Sequence, residues 1–205
     1  WVKNNRVFRV ELYDKEYNNL IRIDDDLNLN NNGYGYAKGI DIFWRDNKFT
    51  FENIDFWLSY SYLDTKRQYR DYPRLITPPF AAEHILTLIF KQNFEISKSQ
   101  FQLSLGYTLT SGRPYYDPFN DLEYMTENYQ SFNIGGSIIP PIGENNFLVI
   151  FFNLENPFGY RNSFGYRYRD FDYITALDEP DEIRPPSLRT FFIGCFMFFD
   201  TGNNK

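Results

Sequence analysis

Every second residue of the segment 100–110 is apolar. Phe101, Leu103, Leu105, Tyr107 and Leu109 fall on one side of an extended chain, and Gln102, Ser104, Gly106, Thr108 and Thr110 fall on the other. This is the period of a β-strand with two chemically different faces. The same division recurs along the chain. Phe8, Val10 and Leu12 oppose Arg9 and Glu11; Ile40, Ile42 and Trp44 oppose Gly35, Ala37, Gly39, Asp41 and Arg45. Phe56, Leu58, Tyr60 and Tyr62 oppose Ser59 and Ser61, and Phe132, Ile134 and Ile138 oppose Ser131, Asn133, Gly135 and Ser137. These segments predict eight strands, at 5–15, 34–46, 53–64, 81–94, 99–111, 128–139, 146–156 and 188–199. Their length exceeds the roughly five or six residues of an average globular strand and suits a tilted strand crossing a bilayer.

The links between the segments carry the second signal. Those at 16–33, 65–80, 112–127 and 157–187 are long, and those at 47–52, 95–98 and 140–145 are short. The short ones hold turn-type residues in Asp46-Asn47-Lys48, Ser97-Lys98-Ser99 and Pro140-Pro141-Ile142-Gly143. In an up-and-down meander this alternation gathers the long loops at one end, as in outer-membrane barrels. A soluble β-sandwich or lipocalin-like barrel also alternates, but it turns an aliphatic face inward and charges outward. Here the polar face is mainly Ser, Thr, Gly, Asn and Gln, which suits a hydrated or filled lumen.

Composition narrows the classes further. Aromatic residues make up 20% of the chain, whereas the mean hydropathy is -0.52. A disordered chain is poor in aromatics, and a helical membrane protein has long uncharged runs. The longest apolar stretches, 147–152 and 191–199, are strand-sized and apolar on both faces. A net charge of -6 argues against a nucleic-acid binder, which needs a basic surface. The start at Trp1, without a basic or apolar leader, predicts a piece of a longer polypeptide.

From Gly33 onward the chain resembles the C-terminal barrel of TonB-dependent outer-membrane receptors. The likeness runs through Gly33-Tyr34-Gly35-Tyr36-Ala37-Lys38-Gly39-Ile40-Asp41-Ile42-Phe43-Trp44-Arg45-Asp46 and Phe56-Trp57-Leu58-Ser59-Tyr60-Ser61-Tyr62. It continues through Thr77-Pro78-Pro79-Phe80-Ala81 leading into His84, Ser111-Gly112-Arg113-Pro114-Tyr115 and Asn153-Leu154-Glu155-Asn156-Pro157-Phe158-Gly159, and closes in the last strand. The order and spacing of these motifs, more than any one of them, carry the resemblance. It implies an all-β fold in which residues 1–205 form about eight antiparallel up-and-down transmembrane strands of a barrel of roughly 22. It also implies energised uptake of a scarce ligand, such as a siderophore, cobalamin, glycan or peptide, across the outer membrane of a Gram-negative-type bacterium.

The partners implied are outer-membrane lipid and lipopolysaccharide, the remaining strands, an N-terminal plug, the TonB complex and a small-molecule or oligomeric ligand. The chain shows no candidate plug and no TonB box, and it runs on from Phe199 into Asp200-Thr201-Gly202-Asn203-Asn204-Lys205 where many such barrels finish on an aromatic residue. A second reading is a complete eight-stranded outer-membrane barrel with an adhesive or structural role; a third is a soluble lipid carrier.

The link 65–80 holds Lys66, Arg67, Arg70 and Arg74, interleaved with Tyr69 and Tyr72, inside an acidic chain. Three readings stay open for it: ion pairs with the acidic loops, contact with lipopolysaccharide phosphates, or an anionic ligand at the barrel mouth. Arg67, Tyr69, Arg70, Tyr72 and Arg74 are therefore the candidate ligand-binding residues. No catalytic residue, metal site or cofactor is expected. Asp24-Asp25-Asp26 with Asn28, Asn30, Asn31 and Asn32 lacks the glycine and terminal glutamate of an EF-hand and reads as a solvated loop. Asp178-Glu179-Pro180-Asp181-Glu182 likewise reads as a charged loop. His84, the single histidine, and Cys195, the single cysteine, have no metal-type spacing and read as structural. Gly33, Gly35 and Gly39 open a strand and not a helix, so they are no phosphate loop; on the inner face they leave room for a plug or water. Lys38 is expected on the outer face, its stem snorkelling at the interface.

Overall fold

The computed structural model describes the chain except for residues 4–5, 25–26, 48–53, 118, 120–121, 143–145, 168–178 and 200–205. The expectations attached to Asp25, Asp26, Lys48, Gly143, Asp178 and the terminal segment from Asp200 lie outside the described residues. The fold is all-β. Eight long strands follow the eight alternating segments: β2 (Arg6–Ile23), β3 (Leu29–Asp46), β4 (Ile54–Gln68), β5 (His84–Ile96), β6 (Ser99–Thr110), β9 (Tyr129–Ile139), β10 (Phe147–Glu155) and β13 (Thr190–Phe198). With the short β1 (Val2–Lys3) they form one sheet in the order β1-β2-β3-β4-β5-β6-β9-β10-β13, each strand antiparallel to its neighbour. Among the described residues the order stays open between β13 and β2.

The links differ from expectation in an informative way. The first is not long: β2 and β3 are 18 residues each and pair up to Ile23↔Leu29, so only 24–28 remain as the turn. Asp24 closes it, its carboxylate accepting from the Asn28 amide at 2.7 Å. Asn30, Asn31 and Asn32 sit on β3 and not in a loop. Main-chain ladder bonds do not require apolar side chains, so a polar stretch extends as a ribbon past the patterned part of the sheet. A bulge between Tyr17 and Leu20, with Asn19 at φ 58°, marks where it bends away. Two other links contain hairpins of their own: β7 (Pro114–Asp117) with β8 (Leu122–Met125), and β11 (Gly165–Arg167) with β12 (Asp181–Ile183).

Direct partners across a pleated sheet share a face, so the register assigns every strand residue to a side. One face carries Asp41, Ser61, Thr87, Thr108, Ser131 and Asn153; the other carries Ile42, Tyr60, Leu86, Leu105, Ile134 and Phe152. The apolar band on the second face does not follow one row of partners. On β3 it centres on Ile42, whose row crosses β4 at Tyr60. On β10 it centres near Phe152, whose row runs through Gly136, Leu103 and Gln92 to reach β4 at Ile54. Tyr60 and Ile54 are six residues apart, so the band slips by six residues over five strand-to-strand steps. At about 3.3 Å per residue and 4.8 Å between strands this inclines the strands by about 40° to the normal of the band. On β3 the band is bounded by two ion pairs, Lys38 with Asp14 at 3.1 Å and Asp46 with Arg6 at 2.9 Å.

Among the described residues no second layer covers either face. The buried apolar residues are few, Ala37, Ile54, Ile76, Ala81 and Ala82, and the most buried, Ile76 and Pro78, lie in the loop after β4 and not between layers. Leu12 is 78% exposed and Ile193 62%.

The two doubly apolar stretches pair with each other, from Phe147↔Phe198 to Glu155↔Thr190. They form one margin of the sheet, and on it the otherwise polar face turns aromatic, with Phe147, Phe151, Phe192, Phe196 and Phe198. Cys195 lies on the apolar face of β13 and is exposed. Gly33, Gly35 and Gly39, expected to leave room for a plug or water, are not open space. Gly39 is covered by the ring of Tyr13, its direct partner, whose hydroxyl stands 2.4 Å from where a Cβ would lie. Gly194 is covered in the same way by its partner Phe151.

Candidate functional site

The loop between β4 and β5 is the hub of the end where β2, β3 and β4 project. Its main chain folds back onto the strands beneath it. Arg67 exchanges both main-chain hydrogen bonds with Ile76, at 2.8 and 3.1 Å, and Arg70, at φ 55°, bonds to Ile21 and Ile23 of β2 at 2.8 and 2.7 Å. The basic run is thereby held against the tip of β2.

Arg67 is the last residue of β4 on the polar face. Tyr17, Gly35 and Arg67 occupy one row across β2, β3 and β4. Because Gly35 has no side chain, the Arg67 guanidinium reaches across it and stacks 4.2 Å from the Tyr17 ring centroid, with Phe80 5.4 Å away on the loop. This is cation–π packing. Its Nε is buried without a hydrogen-bond partner. Beneath it lies a cavity of about 530 Å³ on the polar face, lined by Glu11, Tyr13, Lys15, Asp41, Thr65 and Arg67 among others.

The remaining candidates point elsewhere. Tyr69 and Tyr72 pack together at 5.5 Å, and Tyr72 meets Tyr116 of β7 edge-on at 5.6 Å. Arg74 pairs with Glu123 of β8 at 3.4 Å, and Glu123 also accepts from the Thr77 amide at 3.5 Å. Tyr69, Tyr72 and Arg74 thus dock the loop against the β7–β8 hairpin, and Arg67 alone of the five lines the polar-face cavity. The aromatic contacts continue from Tyr115 to Tyr124 at 5.6 Å and to Tyr166 of β11 at 4.6 Å, joining three connections at this end. The sequence holds these tyrosines in plain view, but nothing in their spacing says that they meet.

Burial of its ring pushes the Tyr72 hydroxyl up to about 12 from 10.0, with Tyr69 and Asp71 adding to the effect and Arg70 opposing it. Burial raises Tyr69 as well. A phenol held neutral in the folded state contributes stability that is fully present below the free value and lost as pH rises through the folded one. The docking of this loop should therefore weaken between pH 10.0 and about 12. A phenolate absorbance titration should show several late-ionising tyrosines, the latest of which disappears in Tyr72→Phe; an unchanged titration curve would contradict the assignment.

His84 sits between two rings, with its Nδ1 2.9 Å from the Tyr60 hydroxyl and its ring 5.2 Å from that of Tyr62. Among the described residues no group of three or more His, Cys, Asp or Glu side chains is placed to hold a metal ion. Sequence reasoning missed a second cavity at the β11–β12 connection, of about 580 Å³, between the segments 156–163 and 182–188. Its only local signal is the turn after β10, Asn156-Pro157-Phe158-Gly159.

No protein-family model matches the chain, and no curated protein or solved structure matches it either.

Proposed function

We propose that this chain is the C-terminal part of the barrel of a TonB-dependent outer-membrane receptor, providing barrel wall and external connections for energised uptake of a ligand. The observation that carries the membrane reading is the slipped apolar band. Outer-membrane strands tilt by about 35–45°, and a band inclined by that angle to the rows of partners is what a flat bilayer imposes on tilted strands. A closed soluble barrel tilts its strands as much, but it turns its apolar face inward and charges outward, whereas here the face opposite the apolar band is mainly Ser, Thr, Gly, Asn and Gln. An open soluble sheet has to cover its apolar face with a second layer. The polar face is the lumen in this reading, with Asp41 accepting from Ser61, Asn93 accepting from Gln102 at 2.9 Å, and Arg45 joined to Asp55 at 3.1 Å.

The receptor assignment adds the resemblance of the motifs from Gly33 onward, and the loop hub with its Arg67 cavity lies at the end that becomes external. A complete eight-stranded barrel needs β13 to pair with β2, and no observation favours that closure.

The facing is testable by single cysteines in a Cys195→Ser background of the full-length protein in vesicles. Cysteines at Leu103, Leu105 and Tyr107 should resist a water-soluble maleimide, whereas those at Ser104, Gly106 and Thr108 should react. Equal labelling of the two sets would remove the membrane reading.

A further inference from the structure

We infer that the cavity beside the β11–β12 hairpin is a binding site for a short peptide with free termini, a proposal that rests on the receptor reading for its physiological setting. Its volume of about 580 Å³ falls within the range of roughly 300–1,000 Å³ for small-ligand sites. Its walls are fixed by side chains bonded to main chain. Asn156, at φ 50°, accepts from the Tyr160 amide at 2.9 Å and donates to the carbonyls of Tyr160 and Leu188 at 2.8 Å. Asn162 is buried and exchanges two bonds with the main chain of Gln130, at 2.7 and 2.9 Å. Arg189 donates to the Pro157 carbonyl at 2.9 Å. A site built this way loses little on ordering when a ligand enters.

The charges on its wall select the ligand. Four charged residues line it, Glu127, Arg161, Glu182 and Arg184, so the cavity is balanced and offers no net attraction to an anion or a cation. Glu182 and Arg184 satisfy each other, with Arg184 Nε donating to the carboxylate at 2.7 Å, and that bond holds the Glu182 carboxyl below its ordinary range. Glu127 and Arg161 are different. Both line the cavity, both are exposed, and neither side chain has an ion-pair or hydrogen-bond partner among the described residues.

They present one acceptor and one planar five-donor fork as separate poles of a single concave surface. A zwitterion fits both. A ligand carboxylate accepts a bidentate pair from the Arg161 guanidinium, and a ligand ammonium donates to the Glu127 carboxylate, each a charge-assisted bond roughly twice as strong as a neutral one. Tyr160 and Tyr166 add aromatic surface for the side chains between. A sugar leaves both charges answered only by neutral hydroxyls, which makes it the weaker match.

The test is calorimetric titration of the full-length protein in detergent with trialanine, with N-acetyl-trialanine-amide, and with maltotriose. Trialanine should bind, and blocking its ends should weaken binding by about tenfold or more. Arg161→Gln and Glu127→Gln should each produce a similar loss; both side chains are exposed and unpartnered, so their replacement leaves the fold intact. The blocked peptide makes the same comparison on the unaltered protein. No trialanine binding, equal binding of the blocked peptide, or binding of maltotriose in its place would overturn the proposal. Uptake of labelled trialanine by cells, with and without a proton-motive force, separates the two readings. Binding without energised uptake counts against the receptor alone, and energised uptake of another ligand without trialanine binding counts against this site alone.

Discussion

Leu105→Arg in β6 is expected to cost about 2–4 kcal/mol of folding stability in a bilayer, and Ser104→Arg, one residue away, less than about 1 kcal/mol. Leu105 lies in the middle of the apolar run of β6, with Phe90 and Ile134 as its partners on either side. A guanidinium there is surrounded by side chains with no acceptor, and in lipid it has no water to replace them. Ser104 has the opposite setting. Its partners are Lys91 and Gly135, and the absence of a side chain at Gly135 leaves a long residue room to lie over the polar face, which is the hydrated lumen in the proposed reading. Chemical unfolding of the full-length protein in lipid vesicles measures both values. If the apolar face met water the first substitution would cost next to nothing, and if both faces were packed against protein the two would cost alike. A large asymmetry requires Leu105 to be shielded from water and Ser104 to be wet.

The strand positions were legible because the two faces of each strand meet different surroundings, and that difference is written into alternate residues. Where it lapses, sequence reading lapses too. Residues 16–23 of β2 and 29–33 of β3 carry no alternation, because a ribbon beyond the patterned sheet has the same surroundings on both sides; its pairing is a main-chain property that side-chain type does not report. The stretches 147–152 and 191–199 fail in the other direction: they are apolar on both faces, so alternation says nothing of their facing, which only their pairing with each other at one margin of the sheet assigns.

The candidate site was readable as a basic, tyrosine-rich loop, but its internal division was not. Arg67 turns to the polar face because of its place in the β4 register beside Gly35, whereas Arg74 meets Glu123, forty-nine residues on, through the docking of two connections. The cavity beside the β11–β12 hairpin was still less legible, since the bonds by which Asn156 fixes its wall end on main-chain carbonyls at Tyr160 and Leu188 that any residue supplies.

The glycines on the polar face sharpen what fills that face, and two of them should respond differently to the same substitution. Gly39→Val and Gly194→Val both overpack, each by about 1–3 kcal/mol. At Gly194 the three atoms nearest a new Cβ all belong to the Phe151 ring, at 2.7 to 3.2 Å. Removing that ring in Phe151→Ala vacates the space, so the double variant should recover most of the loss caused by Gly194→Val. At Gly39 the nearest atom is the main-chain oxygen of Tyr62, at 2.3 Å, with the Tyr13 hydroxyl at 2.4 Å. Tyr13→Ala removes only the second obstacle, because Tyr62 lies on β4 between Ser61 and Leu63, the ladder partners of Asp41 and Gly39, and its carbonyl cannot withdraw without parting the strands. Double-mutant cycles by chemical unfolding should therefore give a large favourable coupling for Phe151 with Gly194 and a smaller one for Tyr13 with Gly39. Equal couplings would mean that β3 and β4 can separate locally at no great cost, and the close approach at Gly39 would then be a matter of side-chain packing and not of the ladder itself.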